Sequence, residues 1–273
     1  MGEWLIEPLT YSFMLRGLIA AVLTGITCAI LSAFVVWRGM AFVGDAIAHA
    51  ILPGIVIAFM VGVSLFIGAL ITAIVVAFGI GWLSRRGDLK EDTAIGVVFT
   101  GFFALGILLL SKVNSYQDLT HILFGNILGV STQDLIIMVV IMVVVIAVVT
   151  IFYKELLVTS FDPAHSIAIG LSPELVRYGL LILIALTVVA AIQVAGVVLV
   201  LALLITPAAA ASQAVKRLPA IIGLGTVYAV LSAVVGFYAS YYANVASGAA
   251  VVLSLTIVFL ISFLLGEGKK RLQ

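Results

Sequence analysis

The chain has 273 residues, 64% of them hydrophobic and 9% charged, with a formal net charge of +1. A soluble domain carries about a quarter charged residues, so this composition excludes an ordinary soluble enzyme and points to an all-α bundle within a lipid bilayer. The net charge says nothing about nucleic acid, and no basic run is long enough to suggest it, so no nucleic-acid partner is expected. A single cysteine, Cys28, excludes intrachain disulfides and cysteine-built zinc sites, and argues against a copper(I) pathway.

Residues 1–15 carry Glu3 and Glu7 and lack a basic leading region, so no cleavable signal peptide is expected. Residues 17–37 are uncharged and long enough to cross the hydrocarbon core, which needs roughly 20 residues. Arg38 and Gly39 punctuate the chain, and a second span is expected over about 40–60. A third, 64–83, ends at the polar cluster from Ser84 to Asp92. The fourth, 93–111, contains Gly96, Gly101 and Gly106, small residues that permit close helix approach. A mixed connection, 112–133, precedes a fifth span of Ile, Val and Met over 135–153.

The longest polar interruption is 154–177. Beyond it, 178–215 is too long for one straight crossing and reads as two spans with a turn near 192–196; a single interrupted span there would lower the total from nine to eight. The last two spans are expected at 220–240 and 247–265. With nine spans and the N-terminus outside, only Arg16 and Lys112 of the 13 Lys and Arg residues fall on the outer side, which is the asymmetry the positive-inside rule requires. The whole chain, 1–273, reads as one transmembrane domain. It has no repeat visible by inspection and no long soluble loop, so any enzymatic domain must come from another chain.

One stretch, 38–54, carries chemistry in an otherwise inert span. Asp45 and His49 stand four residues apart, about one helical turn, so both side chains share a face about 6 Å apart along the axis. They are the only ionisable side chains inside the expected apolar spans. One reading is a structural pair that satisfies itself; the other is a relay or ligand pair for a cation, the default for ionisable groups at membrane depth. An oxygen and a nitrogen donor suit divalent manganese, iron or zinc, whereas magnesium and calcium prefer all-oxygen shells. Two donors are too few for a tight site, and a twofold dimer would bring four around one axis. Pro53 and Gly54, one turn on, are expected to kink the helix and to free backbone carbonyls.

Asp162 followed by Pro163 reads as an N-cap with proline at the first helical position, and Gly170 as the C′ stop of a short helix. Ser172-Pro173-Glu174 starts the next helix by the same logic. Such a rigid element is either an ordinary capped loop or a docking element; His165, inside it, reads as a solvated loop histidine. On the outer side, Asp118 and His121 are spaced to meet an incoming cation or to be an ordinary exposed pair, within an interfacial or re-entrant segment over 116–131 that Gly125 and Gly129 would bend. No phosphate-binding G-x-x-x-x-G-K-[ST] motif, no H-E-x-x-H motif and no arginine ladder occurs.

Gly44-Asp45-Ala46, His49-Ala50 and Leu52-Pro53-Gly54 together resemble the signature of the membrane-spanning permeases of bacterial ABC importers for manganese, zinc and iron(II). Leu123-Phe124-Gly125-Asn126 with Leu128-Gly129, Phe161-Asp162-Pro163 through Gly170, and Gly196 through Leu199, Ala202-Leu203-Leu204 and Pro207-Ala208-Ala209 match further family blocks in the same order. The ending Ala50-Ile51-Leu52-Pro53-Gly54 is more similar to the manganese/iron branch than to the zinc branch. The resemblance covers nearly the whole chain. It implies a homodimer of permeases in a prokaryotic plasma (inner) membrane, two cytoplasmic ATP-binding subunits, and an extracytoplasmic metal-binding protein that delivers the ion. Manganese, or zinc or iron(II), would be cargo, with no covalently bound cofactor and no covalent chemistry in this chain. Asp45 and His49 would coordinate the metal. The segment with Asp162, Pro163, Ala164, His165, Ala168 and Gly170, within 155–177, would couple to the ATPase. The rival reading is a secondary transporter or channel that uses the Asp/His pair as a relay and needs no ATPase.

Overall fold

The computed structural model describes residues 7–86, 89–113 and 129–271, and among them every regular element is helical. Nine helical stretches are long and apolar enough to cross a membrane. The first is α1 (Ser12–Trp37). The second is divided into α2 (Val43–Ala50) and α3 (Leu52–Val61), followed by α4 (Leu65–Arg86), α5 (Glu91–Leu110) and α6 (Thr132–Ile151). Two short helices, α7 (Tyr153–Phe161) and α8 (Pro163–Ala168), precede α9 (Pro173–Ala195), α10 (Val197–Ala214), α11 (Leu218–Ala243) and α12 (Ser247–Arg271).

Local chemistry accounts for most of the boundaries. Glu91 and Asp92 open α5 after an extended Lys90, where their charge meets the positive end of the helix dipole. Pro219 lies in the first turn of α11, which ends on Asn244 in the left-handed region at φ 54°. Gly196, at φ 78° and ψ 161°, separates α9 from α10 in a conformation closed to residues with a side chain. The count of nine spans therefore holds, with its break at the end of the expected turn. The polar interruption over 154–177 separates the spans as read and carries two short helices: α7 follows α6 after a single non-helical Phe152, and neither α7 nor α8 is among the membrane-crossing stretches.

The chain divides into two compact units. The first takes in residues up to Val36, 122–142 and 191 onward. Its helices α10, α11 and α12 pack against one another, and the α11–α12 crossing is tight because Gly236 lies against the backbone of Val251. Pro207 interrupts the hydrogen-bond ladder of α10, and buried Ser32 of α1 bonds to the backbone on either side of it. The Ser32 hydroxyl donates to the Ile205 carbonyl at 3.2 Å and accepts from the Ala208 N–H at 3.2 Å.

The second unit comprises 37–121 and 143–190. Here α2 and α3 pack on α5, and α3 crosses α4 where Gly54 faces Gly68. A Cβ on Gly54 would collide with the Gly68 carbonyl oxygen and the Thr72 hydroxyl, and one on Gly68 with the Gly54 carbonyl, so both glycines are required by the approach. At one end of this unit, Trp37, Arg38, Glu91, Thr159, Ser160, Pro163, Pro173, Glu174 and Arg177 line a single cavity of about 340 Å³. Arg85 Nε meets Glu174 Oε1 there at 3.1 Å. The connections after spans one, three and five thus gather at one end, as alternate crossings demand. Outward residues such as Ile136, Val140 and Val143 of α6 are exposed and apolar, a surface suited to lipid and not to water.

Candidate functional site

Helix α2 buries Val43, Gly44, Ala46, Ile47, Ala48 and Ala50, leaving only Asp45 and His49 open. Their side chains are 40% and 34% exposed, and His49 Nε2 lies 3.3 Å from Asp45 Oδ1. The i,i+4 spacing legible in the sequence therefore produces a facing pair on the single accessible stripe of the helix. The sequence did not disclose the ring shell of His49. Phe99 and Phe103 of α5 approach the imidazole at centroid distances of 6.1 and 5.6 Å, the second edge-on, and stack on each other at 5.7 Å. Their spacing of four residues was the available signal, but nothing in it named His49 as the partner.

Pro53 divides the span as expected, with the break at Ile51. The expected freed carbonyls do not follow: the Ile47 and His49 carbonyls both accept from backbone N–H groups at the cap of α2. The Pro53–Gly54 stretch shapes the helix and lets it cross α4. Among the described residues no cluster of three or more His, Cys, Asp or Glu side chains exists. The open stripe of α2 presents a carboxylate and an imidazole, oxygen and nitrogen groups of the kinds that suit divalent manganese, iron or zinc.

The second expected element also takes shape. Asp162 Oδ1 accepts from the His165 N–H at 2.8 Å, Pro163 opens α8, and Gly170 adopts φ 83° after it. Ser166 is the only buried residue of the helix and donates to the Pro163 carbonyl. Ala164, His165, Ile167 and Ala168 all face outward, as does Ile169 just beyond. Exposed Ile167 and Ile169 on a short, capped, rigid helix form an apolar edge that has no partner within the described chain. Asp118 and His121 lie outside the described residues.

The cavity at this end holds groups that sequence reading had counted only as loop charges. Arg38 Nη2 donates to Thr159 Oγ1 at 2.8 Å and its Nε donates to Ser160 Oγ at 3.0 Å. Arg177 Nη2 donates to the Gly81 carbonyl at 2.8 Å. Burial pulls the Arg38 guanidinium below its ordinary pKa, with Glu91 opposing that shift and Arg177 adding to it. An arginine remains charged through such a shift.

Residues 10–266 match the sequence model of the ABC 3 transport family. The chain belongs to this family. It is similar to the manganese transport system membrane protein MntC of Listeria monocytogenes, with 46% identity over 254 residues that span 93% of this chain and 91% of that protein. It is similar also to the probable iron transport system membrane protein of Haemophilus influenzae, 42% identical over 262 residues, 96% of this chain and 97% of that one. Among solved structures, PsaBC from Streptococcus pneumoniae in complex with Fab superposes with a TM-score of 0.83 at 38% identity, covering 96% of this chain and 95% of the other. The family resemblance read from the signature blocks and the all-helical permease fold are therefore both borne out. As a member of the ABC 3 transport family, the chain is a multi-pass membrane permease subunit of an ABC transporter.

Proposed function

We propose that the chain is the permease half of an ATP-driven importer carrying divalent transition-metal ions, manganese first, across a bacterial plasma membrane. The observation that carries this reading is the Asp45–His49 pair, 3.3 Å apart on the only open stripe of α2. The oxygen and nitrogen donors fit the chemistry of manganese, iron(II) and zinc, and manganese and iron appear in the names of the similar proteins. A second copy of the chain, related by a twofold axis, would bring its own Asp45 and His49 to the same ion. Four donors around one axis complete a loose site that can release its cargo. An extracytoplasmic metal-binding protein delivers the ion. Two cytoplasmic ATP-binding subunits dock on the apolar edge of α8, and hydrolyse the ATP that alternates access.

The test is manganese uptake into vesicles that hold the chain with its partner ATPase and binding protein. Uptake is expected only with ATP inside the ATPase compartment, and is expected to be inhibited by excess iron(II) or zinc. Equal uptake without ATP, or none under any condition, overturns the reading.

A further inference from the structure

Two junctions of the second unit are tied by one side chain. Arg38 directly follows α1 and precedes the short connection, through Gly39 at φ 70°, that enters α2 and its Asp45 and His49. Its guanidinium holds Thr159 and Ser160, the two residues before the last of α7, just before Asp162 caps α8. Beside it the Trp37 and Phe161 rings lie 4.3 Å apart. The two hydroxyls have already spent their hydrogens on α7: Thr159 Oγ1 donates to the Glu155 carbonyl at 2.7 Å and Ser160 Oγ to the Leu156 carbonyl at 2.6 Å. What remains on each oxygen is acceptor capacity, which a donor such as Arg38 uses. Its Nε and Nη2 reach both oxygens at once.

The same cavity contains a carboxylate oxygen that accepts no hydrogen bond among the described residues. Glu91 opens α5, the helix whose Phe99 and Phe103 face His49. Its Oε1 is buried and accepts no hydrogen bond, and the Nε of Arg177 is likewise buried and unused. Arg38 and Arg177 both act electrostatically on Glu91, but among the described residues neither reaches it as an ion pair within 4.0 Å. A buried carboxylate oxygen left without a hydrogen bond beside two guanidiniums is costly. Arg38 thus stands between two kinds of acceptor, the hydroxyls it holds and the Glu91 carboxylate that lines the same cavity.

We propose that Arg38 is the positioning residue that carries movement of the α7–α8 segment to the Asp45/His49 helix, and that Glu91 is its partner in the alternate arrangement. This rests on the transport reading above. When the ATPase shifts α8, α7 withdraws Thr159 and Ser160, Arg38 turns to Glu91, and the start of α5 and the entry to α2 move together. The ends of α2 and α5 are thereby driven by one charge pair, which changes how the Phe99–Phe103 wall meets His49.

The experiment uses the full complex in vesicles, with manganese uptake and ATP hydrolysis measured on the same preparation. Arg38→Gln and Glu91→Gln are each expected to lower manganese carried per ATP hydrolysed by about tenfold, with hydrolysis held within about twofold of the unmodified complex. The double variant is expected to be no worse than either single one, because both remove the same coupling. Thr159→Val with Ser160→Ala leaves Arg38 in place and is expected to lower the ratio in the same direction; it carries the test if Arg38→Gln does not assemble. An unchanged ratio, a parallel fall of uptake and hydrolysis in assembled complex, or additive losses in the double variant overturn the proposal. Absence of ATP-driven uptake by the unmodified complex overturns the transport reading itself, before any variant is compared.

Discussion

Asp45 and His49 meet at 3.3 Å on a helix whose every other side chain is buried. A pair that served only to satisfy itself would be served equally well facing inward; this one is presented outward. Asp45→Ala and His49→Ala are each expected to lower manganese uptake by at least about a hundredfold, while the complex still assembles and elutes at its normal size, since no third His, Cys, Asp or Glu stands with the proposed ligands among the described residues. Normal uptake by either variant would remove the pair from the ion path.

The crossing of α3 over α4 depends on two glycines that share one contact. Neither neighbour of a new Cβ can yield, because Gly54 and Gly68 each meet the other's backbone. Gly54→Ala and Gly68→Ala are expected to cost about 1–3 kcal/mol each through overpacking. Gly101→Ala, on α5 with open space around the added methyl, is the control and is expected to leave stability unchanged. Thermal unfolding in detergent reads all three, and equal midpoints would mean that α3 and α4 can part at no cost.

How far the sequence reached depended on distance along the chain. The spans, the 45/49 spacing, the Asp162–Pro163 start and the Gly170 stop are all written within a few residues of one another, and each appeared where expected. Contacts across the chain were not legible. Phe99 and Phe103 meet His49 from a different helix, and Arg38 meets Thr159 and Ser160 across 121 and 122 residues. The polar stretch from Lys154 marked a gap between spans, and α7 forms within it because Lys and Glu are good helix formers. Likewise the proline rule located the kink near Pro53, but the short cap at Ile51 satisfied the carbonyls that the rule left open.

Ser32 spans the break that Pro207 makes in α10, giving one hydrogen bond and receiving another. Its removal takes a hydrogen bond from the Ile205 carbonyl and leaves the buried Ala208 N–H without the hydroxyl it donates to. Ser32→Ala is expected to destabilise the protein by about 1–3 kcal/mol. Ser254→Ala, whose hydroxyl bonds only a carbonyl of its own helix, Ala250, is expected to change little. The difference between the two in detergent unfolding is the measurement; equal effects would mean that α10 repairs its own kink.

Asp162 sets the start of α8 through a single charge-assisted bond to the His165 N–H at 2.8 Å. A helix of six residues has too few internal bonds to hold itself, so the cap and Pro163 must supply most of its order. Asp162→Ala is expected to cost about 1 kcal/mol, which corresponds to about fivefold faster amide exchange over 163–169. Asp162→Ser and Asp162→Asn keep an accepting oxygen and are expected to stay close to the unmodified chain. If α8 docks the ATPase as proposed, co-purification of that subunit should weaken with Asp162→Ala and recover with Asp162→Asn, because what the partner reads is the preformed edge of Ile167 and Ile169 and not the charge itself. Equal exchange rates in all variants would show that Pro163 alone fixes the helix; equal co-purification despite faster exchange would place the docking surface elsewhere on the basic end.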